Sequence, residues 1–155
     1  MHRILVDPVA QRRVILYVHG GGYLAGIPRT HLALMTRLSQ LTGVEGCAPA
    51  YRLLQPAPFP AALQDAVTAW DHVMAIGYRL ADVVLAGDRA GASAGDSAGG
   101  GLTLALLLHL TLTGQAPAAA VALSPWVDLT PSAQSLGDPA DCLPVCRLTA
   151  HAAPL

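Results

Sequence analysis

Gly95-Asp96-Ser97-Ala98-Gly99 fits the pattern G-x-S-x-G, the spacing of a sharp strand-to-helix turn that lifts a serine hydroxyl clear of the backbone as a nucleophile. Both outer positions are glycine because the turn brings backbone against backbone, and side chains there would clash. A serine used this way needs a base to take its proton and hydrogen-bond donors fixed where the tetrahedral oxyanion develops. Far upstream, His19-Gly20-Gly21-Gly22 follows Val14-Ile15-Leu16-Tyr17-Val18. The β-branched and aromatic run reads as a buried strand, and the glycines after it leave their amides open to a ligand. Triple glycine alone is equally a plain turn. With a strand before it and a serine turn later, it suits acyl transfer through Ser97.

The serine turn lies inside a duplication. Residues 86–93, AGDRAGAS, align with residues 94–101, AGDSAGGG, a step too short for a solenoid or propeller repeat. Arg89 stands in the first copy where Ser97 stands in the second. Were the first copy to form the turn, arginine would occupy the nucleophile position and the chemistry would be lost.

The surrounding elements must position these two motifs. Apolar spacing predicts a helix over His31 to Thr42, with Thr30 as its cap and Gly43 as its stop. Val44 to Ala50 resembles a weak strand, and Pro56, Pro58 and Pro60 break regular structure after it. A second helix is expected over about Ala61 to Ile76, burying Leu63, Val67, Trp70 and Met74 and turning Asp65, Asp71 and His72 to water. Asp82 to Ala86 reads as the strand feeding the serine turn. Ala98 to Thr113 reads as a helix buried on most sides, whose N-terminal dipole favours negative charge near Ser97. Ala118 to Leu123 is the next strand. This alternation gives an α/β class with a mostly parallel sheet of about four strands and helices on both faces. From Pro131 onward the periodicity stops, so residues 1–134 form a partial core domain and 135–155 an unassigned irregular tail.

Composition narrows the partners. The 155 residues are 53% hydrophobic and 12% charged, with a net charge of −1, which leaves no basic stripe for nucleic acid. Lysine is absent, so the glycine-rich run is not a G-K-[ST] phosphate loop. Cys47, Cys142 and Cys146 contain no C-x-x-C pair, which argues against a disulfide framework or structural zinc. No cofactor or metal is implied. The opening MHRILVDPVA is too short and too interrupted for a signal-peptide core, and Leu102 to Leu112 is too short to span a membrane. A cytoplasmic chain is the default, with self-association through exposed apolar surface a further expectation.

Taken together the chain resembles the hormone-sensitive-lipase-like branch of the α/β-hydrolases, the esterases and lipases with an HGGG motif. The matching residues are His19-Gly20-Gly21-Gly22-Tyr23, Tyr51-Arg52-Leu53, Phe59-Pro60-Ala61-Ala62-Leu63 with Asp65, Gly95-Asp96-Ser97-Ala98-Gly99-Gly100, and Leu123-Ser124-Pro125-Trp126 with Asp128. The resemblance implies a carboxylic-ester hydrolase acting on a small acyl ester, with Ser97 as nucleophile and the amides of Gly21, Gly22 and Ala98 as oxyanion hole. It also implies a later acid and then a histidine. Asp138 or Asp141 followed by His151 gives that order, but within the unpatterned tail. The family's usual Ala-Pro-Glu after Tyr-Arg-Leu is here Leu54-Gln55-Pro56, and its leading cap segment and strands are not seen before Val14. The alternative is therefore an inactive remnant, truncated at both ends. If no acid and histidine reach Ser97, little or no turnover is expected, since losing triad members costs several orders of magnitude.

Overall fold

The computed structural model describes residues 1–5, 12–24, 28–88 and 98–127, together with the backbone of 145–148. Among the described residues six strands form one sheet: β1 (His2–Ile4), β2 (Val14–Val18), β3 (Glu45–Ala48), β4 (Val83–Gly87), β5 (Ala119–Leu123) and β6 (Val145–Leu148). Their order across the sheet is β1-β3-β2-β4-β5-β6. The inner four are parallel, with Leu16 opposite Cys47 on one side and Leu85 on the other. The two edges, β1 and β6, run antiparallel to β3 and β5.

The four expected parallel strands are thus present, and the edges extend them. Val145–Leu148 falls in the stretch 135–155, which carries no periodic signal, and this corrects the expectation of a wholly irregular tail. Four residues are too few to show a period. What gives them an element is the free edge of β5, whose N–H and C=O groups would otherwise stay unpaired.

Among the described residues three α-helices cover the sheet: α1 (Leu32–Thr42), α2 (Ala61–Ala75) and α3 (Ala98–Leu112). Alternate residues of β2 go to opposite faces, as strand geometry requires. Val14, Leu16 and Val18 join Trp70, Val73, Leu102, Leu106 and Leu110 in the larger core, under α2 and α3. Tyr17 and Ile15 meet Met35 and Leu38 of α1 on the other face. Among the described residues no helix is long and apolar enough to cross a membrane.

Several local expectations shift. Thr30 does not cap α1. A 3-10 turn over Pro28–His31 precedes the helix, His31 is the residue at its N-cap, and the Thr30 hydroxyl is hydrogen-bonded to His31 Nδ1 at 2.8 Å instead. Gly43 does end α1, in the left-handed conformation at φ 65°. In α2 the fully buried stripe is Ala66, Ala69, Trp70 and Val73, while Leu63, Val67 and Met74 are half-buried beside it. Alanines let the helix approach the sheet closely, so the small face turns inward. Asp71 and His72 are exposed as expected, but Asp65 is engaged by Arg52. Helix α3 has no exposed residue from Ala98 to Leu107, as expected, but its last turns are bared on one side: Leu108 is 61% and Leu112 78% exposed. A helix apolar all round carries no periodic mark of which side packs, and the sheet supplies a single surface.

Candidate active site

The site lies at the carboxyl ends of β2 and β4, where open parallel sheets present their ligand crevices. After Val18 the chain enters His19-Gly20-Gly21-Gly22-Tyr23. Gly21, Gly22 and Tyr23 have φ of 133°, 62° and 60°. Three consecutive positive values reverse the chain sharply, and glycine adopts them without the Cβ strain other residues incur. Tyr23 bears that strain and is held by its carbonyl, which accepts the Leu54 N–H at 2.7 Å.

His19 is buried and locked from three sides. Its ring stacks on Tyr51 with centroids 4.3 Å apart, and lies against His31 at 5.7 Å. Its Nδ1 donates to the Gly20 carbonyl at 2.9 Å, and its own carbonyl accepts the Tyr51 hydroxyl at 2.6 Å. Burial lowers the imidazole's proton affinity below its usual value, so His19 is a neutral wedge under the loop. Burial likewise holds the Tyr51 and Tyr23 phenols in their neutral form. Tyr51 heads the Tyr-Arg-Leu motif, and the rest of that motif is also structural. Arg52 clasps Asp65 through its guanidinium at 2.9 Å, and Asp65 accepts the Arg52 backbone N–H at 2.7 Å. That clasp ties the segment after β3 to the first turns of α2 and holds the Asp65 carboxyl below its ordinary value.

A carboxylate that sequence reading left without a role sits at the centre. Asp88, directly after β4, is buried, accepts the Gly20 N–H at 3.1 Å, and lies 3.5 Å from His31 Nε2. The only signal for it in the sequence is its membership of the first Gly-Asp copy.

Helix α3 begins at Ala98, fully buried, and runs in against this arrangement. A Cβ on Gly99 would lie 2.5 Å from the Val18 carbonyl oxygen, 2.6 Å from that of Asp88 and 2.6 Å from the His19 carbonyl carbon. The first turn of α3, the end of β2 and the end of β4 therefore meet with no room for a side chain. Of the motif residues, His19 and Gly99 meet at this crossing and Gly20 is tied to it through Asp88; Gly21 and Gly22 follow Gly20 in the loop, and Ala98 precedes Gly99 in the first turn of α3. Gly95, Asp96 and Ser97 lie outside the described residues, as do Arg89, Asp128, Asp138, Asp141 and His151.

Beside the crossing opens a cavity of about 530 Å³, bordered by Gly22 and Gly101 and walled by Tyr23, Leu54, Phe59, Leu104, Leu108 and Trp126. Its wall is apolar, and Phe59 at its rim is 82% exposed. Such a wall suits a short hydrocarbon chain, and among the described residues it offers a polar ligand no charge beyond Arg52.

The sequence profile of the α/β-hydrolase fold matches residues 15–144, and the chain belongs to that family. Within it, the solved structures it resembles include esterases of the hormone-sensitive lipase family. One bacterial member superimposes with a TM-score of 0.73 at 38% identity, over 82% of this chain and 40% of that one; a hormone-sensitive lipase from a metagenome library gives 0.72 at 40% identity. An acetyl-hydrolase of Streptomyces hygroscopicus is 42% identical over 118 residues, 76% of this chain and 37% of that protein. The carboxylesterase/phospholipase LipF of Mycobacterium tuberculosis is 38% identical over 76% of this chain and 29% of its own length. The chain thus spans roughly three-tenths to two-fifths of the length of these relatives.

Proposed function

We propose that this chain carries the nucleophile and oxyanion-binding part of a carboxylic-ester hydrolase, acting on small acyl esters. Ser97 attacks the ester carbonyl, and the amides of Gly21, Gly22 and Ala98 receive the oxyanion. The acyl or alcohol chain lies in the apolar cavity beside Tyr23 and Trp126. The observation that carries this reading is the meeting of the glycine loop with the first turn of α3, because oxyanion donors act only when fixed before the charge develops. The α3 N-terminus adds its dipole on the same side. Removing one such donor costs about 3 kcal/mol of transition-state stabilisation. No cofactor or metal enters this chemistry, and a cytoplasmic location agrees with it.

The second reading is a non-catalytic remnant of such an esterase. It is favoured by the nine residues, 89–97, that separate Asp88 from Ala98, where the G-D-S-A-G pattern places one. Hydrolysis of a short-chain p-nitrophenyl ester by the purified chain separates the two. The esterase reading expects a rate that Ser97→Ala abolishes; equal rates in both proteins support the remnant.

A further inference from the structure

We infer that the duplicated serine turn is used as a hybrid: its strand half comes from the first copy and its helix half from the second, so that Asp88 of the first copy is the positioning residue of the glycine loop.

Packing dictates the strand half. β4 is Val83–Gly87, with Val83 and Leu85 completely buried in the core. For the second copy to supply this half, the strand would have to be drawn from residues 91–95, GASAG. Those side chains are too small to fill the space, and alanine and glycine are poor strand formers. The strand therefore ends in the first copy, at Gly87, and delivers Asp88 to the Gly20 amide.

Steric space dictates the helix half. In the second copy the turn continues as Ala98-Gly99-Gly100-Gly101, and in the first as Ala90-Gly91-Ala92-Ser93. The positions of Gly100 and Gly101 have no room for the first copy's side chains. A Cβ at Gly100 would stand 2.8 Å from Pro125 Cα and 3.0 Å from the Leu123 carbonyl oxygen, and one at Gly101 would collide with the Trp126 carbonyl oxygen. Alanine and serine there would push α3 away from β5. Only the second copy fits.

The two halves also meet in space. The Asp88 carbonyl oxygen stands 2.6 Å from a Cβ on Gly99, which places the two Cα atoms within roughly 7 Å. Deleting residues 89–96 joins Asp88 to Ser97 and leaves three Cα steps to span that gap, which is ample. The resulting sequence is Gly-Asp-Ser-Ala-Gly-Gly-Gly, with every described contact of both halves kept.

The catalytic meaning of this lock rests on the oxyanion reading above, but its test needs no turnover, so either can fail alone. Amide hydrogen exchange at Gly20 reports the Asp88 hydrogen bond directly. Asp88→Ala is expected to speed that exchange roughly tenfold or more, since hydrogen bonds to charged groups are the stronger kind. Asp88→Asn keeps an acceptor oxygen and restores most of the protection, and Asp96→Ala leaves it unchanged. Faster Gly20 exchange in Asp96→Ala, with Asp88→Ala unaffected, overturns the assignment. Should Asp88→Ala not fold, the Asp96→Ala result still decides. Two single-copy chains test the helix half by thermal melting. Deletion of 89–96 is expected to melt cooperatively at or above the parent's temperature, because the closed loop is shorter. Deletion of 94–101, which keeps the first copy, is expected to melt many degrees lower. Equal melting of the two deletions overturns the steric argument.

Discussion

Replacing Gly99 with alanine places a methyl group among three backbone atoms from two segments, the end of β2 and the residue after β4: the Val18 oxygen at 2.5 Å, the His19 carbonyl carbon at 2.6 Å and the Asp88 oxygen at 2.6 Å. None is the end of a flexible side chain, so relief requires α3 to move off the sheet. Overpacking of this kind costs about 1–3 kcal/mol, and three rigid neighbours put it at about 3. Alanine recovers up to about 1 kcal/mol through its better helix propensity, for a net loss of roughly 2 kcal/mol. In a chain of this size that lowers Tm by roughly 4–8 °C. Gly46→Ala is the control: its Cβ would meet Ser39 Oγ at 3.3 Å and Met35 Cε at 3.4 Å, side-chain atoms able to yield. Thermal unfolding of both variants beside the parent is the assay. A Gly99→Ala protein melting within 1 °C of the parent, or above Gly46→Ala, refutes the claim that the crossing is closed to any side chain.

Trp70 is fully buried and donates Nε1–H to Gln115 at 2.9 Å; Trp70→Ala should lose about 3–5 kcal/mol in urea unfolding, and a loss under 1 kcal/mol would contradict its place at the centre of the core. His19 is held neutral by burial, so the unfolded chain binds more protons and stability falls as pH drops below 6.5. The urea midpoint of His19→Phe, which keeps the stack on Tyr51, should fall less between pH 7 and 5 than the parent's, and an unchanged slope would exclude His19 as the cause. Asp65→Ala removes the acceptor of both the Arg52 guanidinium and the Arg52 backbone amide, whereas Arg52→Ala leaves that amide paired. Asp65→Ala should therefore be the more destabilising of the two, by roughly 1 kcal/mol, and the reverse order in chemical denaturation would show that the exposed ion pair dominates.

Most of the parallel sheet and the three helices was legible in the residues. Val14–Val18 is strongly β-branched, Gly43 marks a helix stop, and the alternation of elements implies their layering. The edges were not, because His2–Ile4 and Val145–Leu148 owe their pairing to neighbours far away in the chain. The inward face of α2 was legible in part: Leu63, Val67 and Met74 do pack against the core beside Trp70, but Ala66 and Ala69, whose small size brings the helix close, give only a weak apolar signal. At the site, the glycine loop was readable from its motif. The lock beneath it was not. Tyr51 and Asp88 act through contacts 32 and 68 residues away in sequence, and nothing local marks a carboxylate as the acceptor of a distant amide.

The central claim is that Ser97 is an activated nucleophile whose oxyanion is received by the loop after β2 and the first turn of α3. Its most direct test is treatment of the chain with diethyl p-nitrophenyl phosphate, which phosphorylates an activated serine and releases p-nitrophenolate. Peptide mass spectrometry locates the adduct while amide NMR follows the backbone. The account predicts one phosphoryl group on Ser97, with the Gly21, Gly22 and Ala98 amide protons shifting downfield together as they take up the phosphoryl oxygen. A chain left unmodified at Ser97, or modified there with those three amides unmoved, would contradict it.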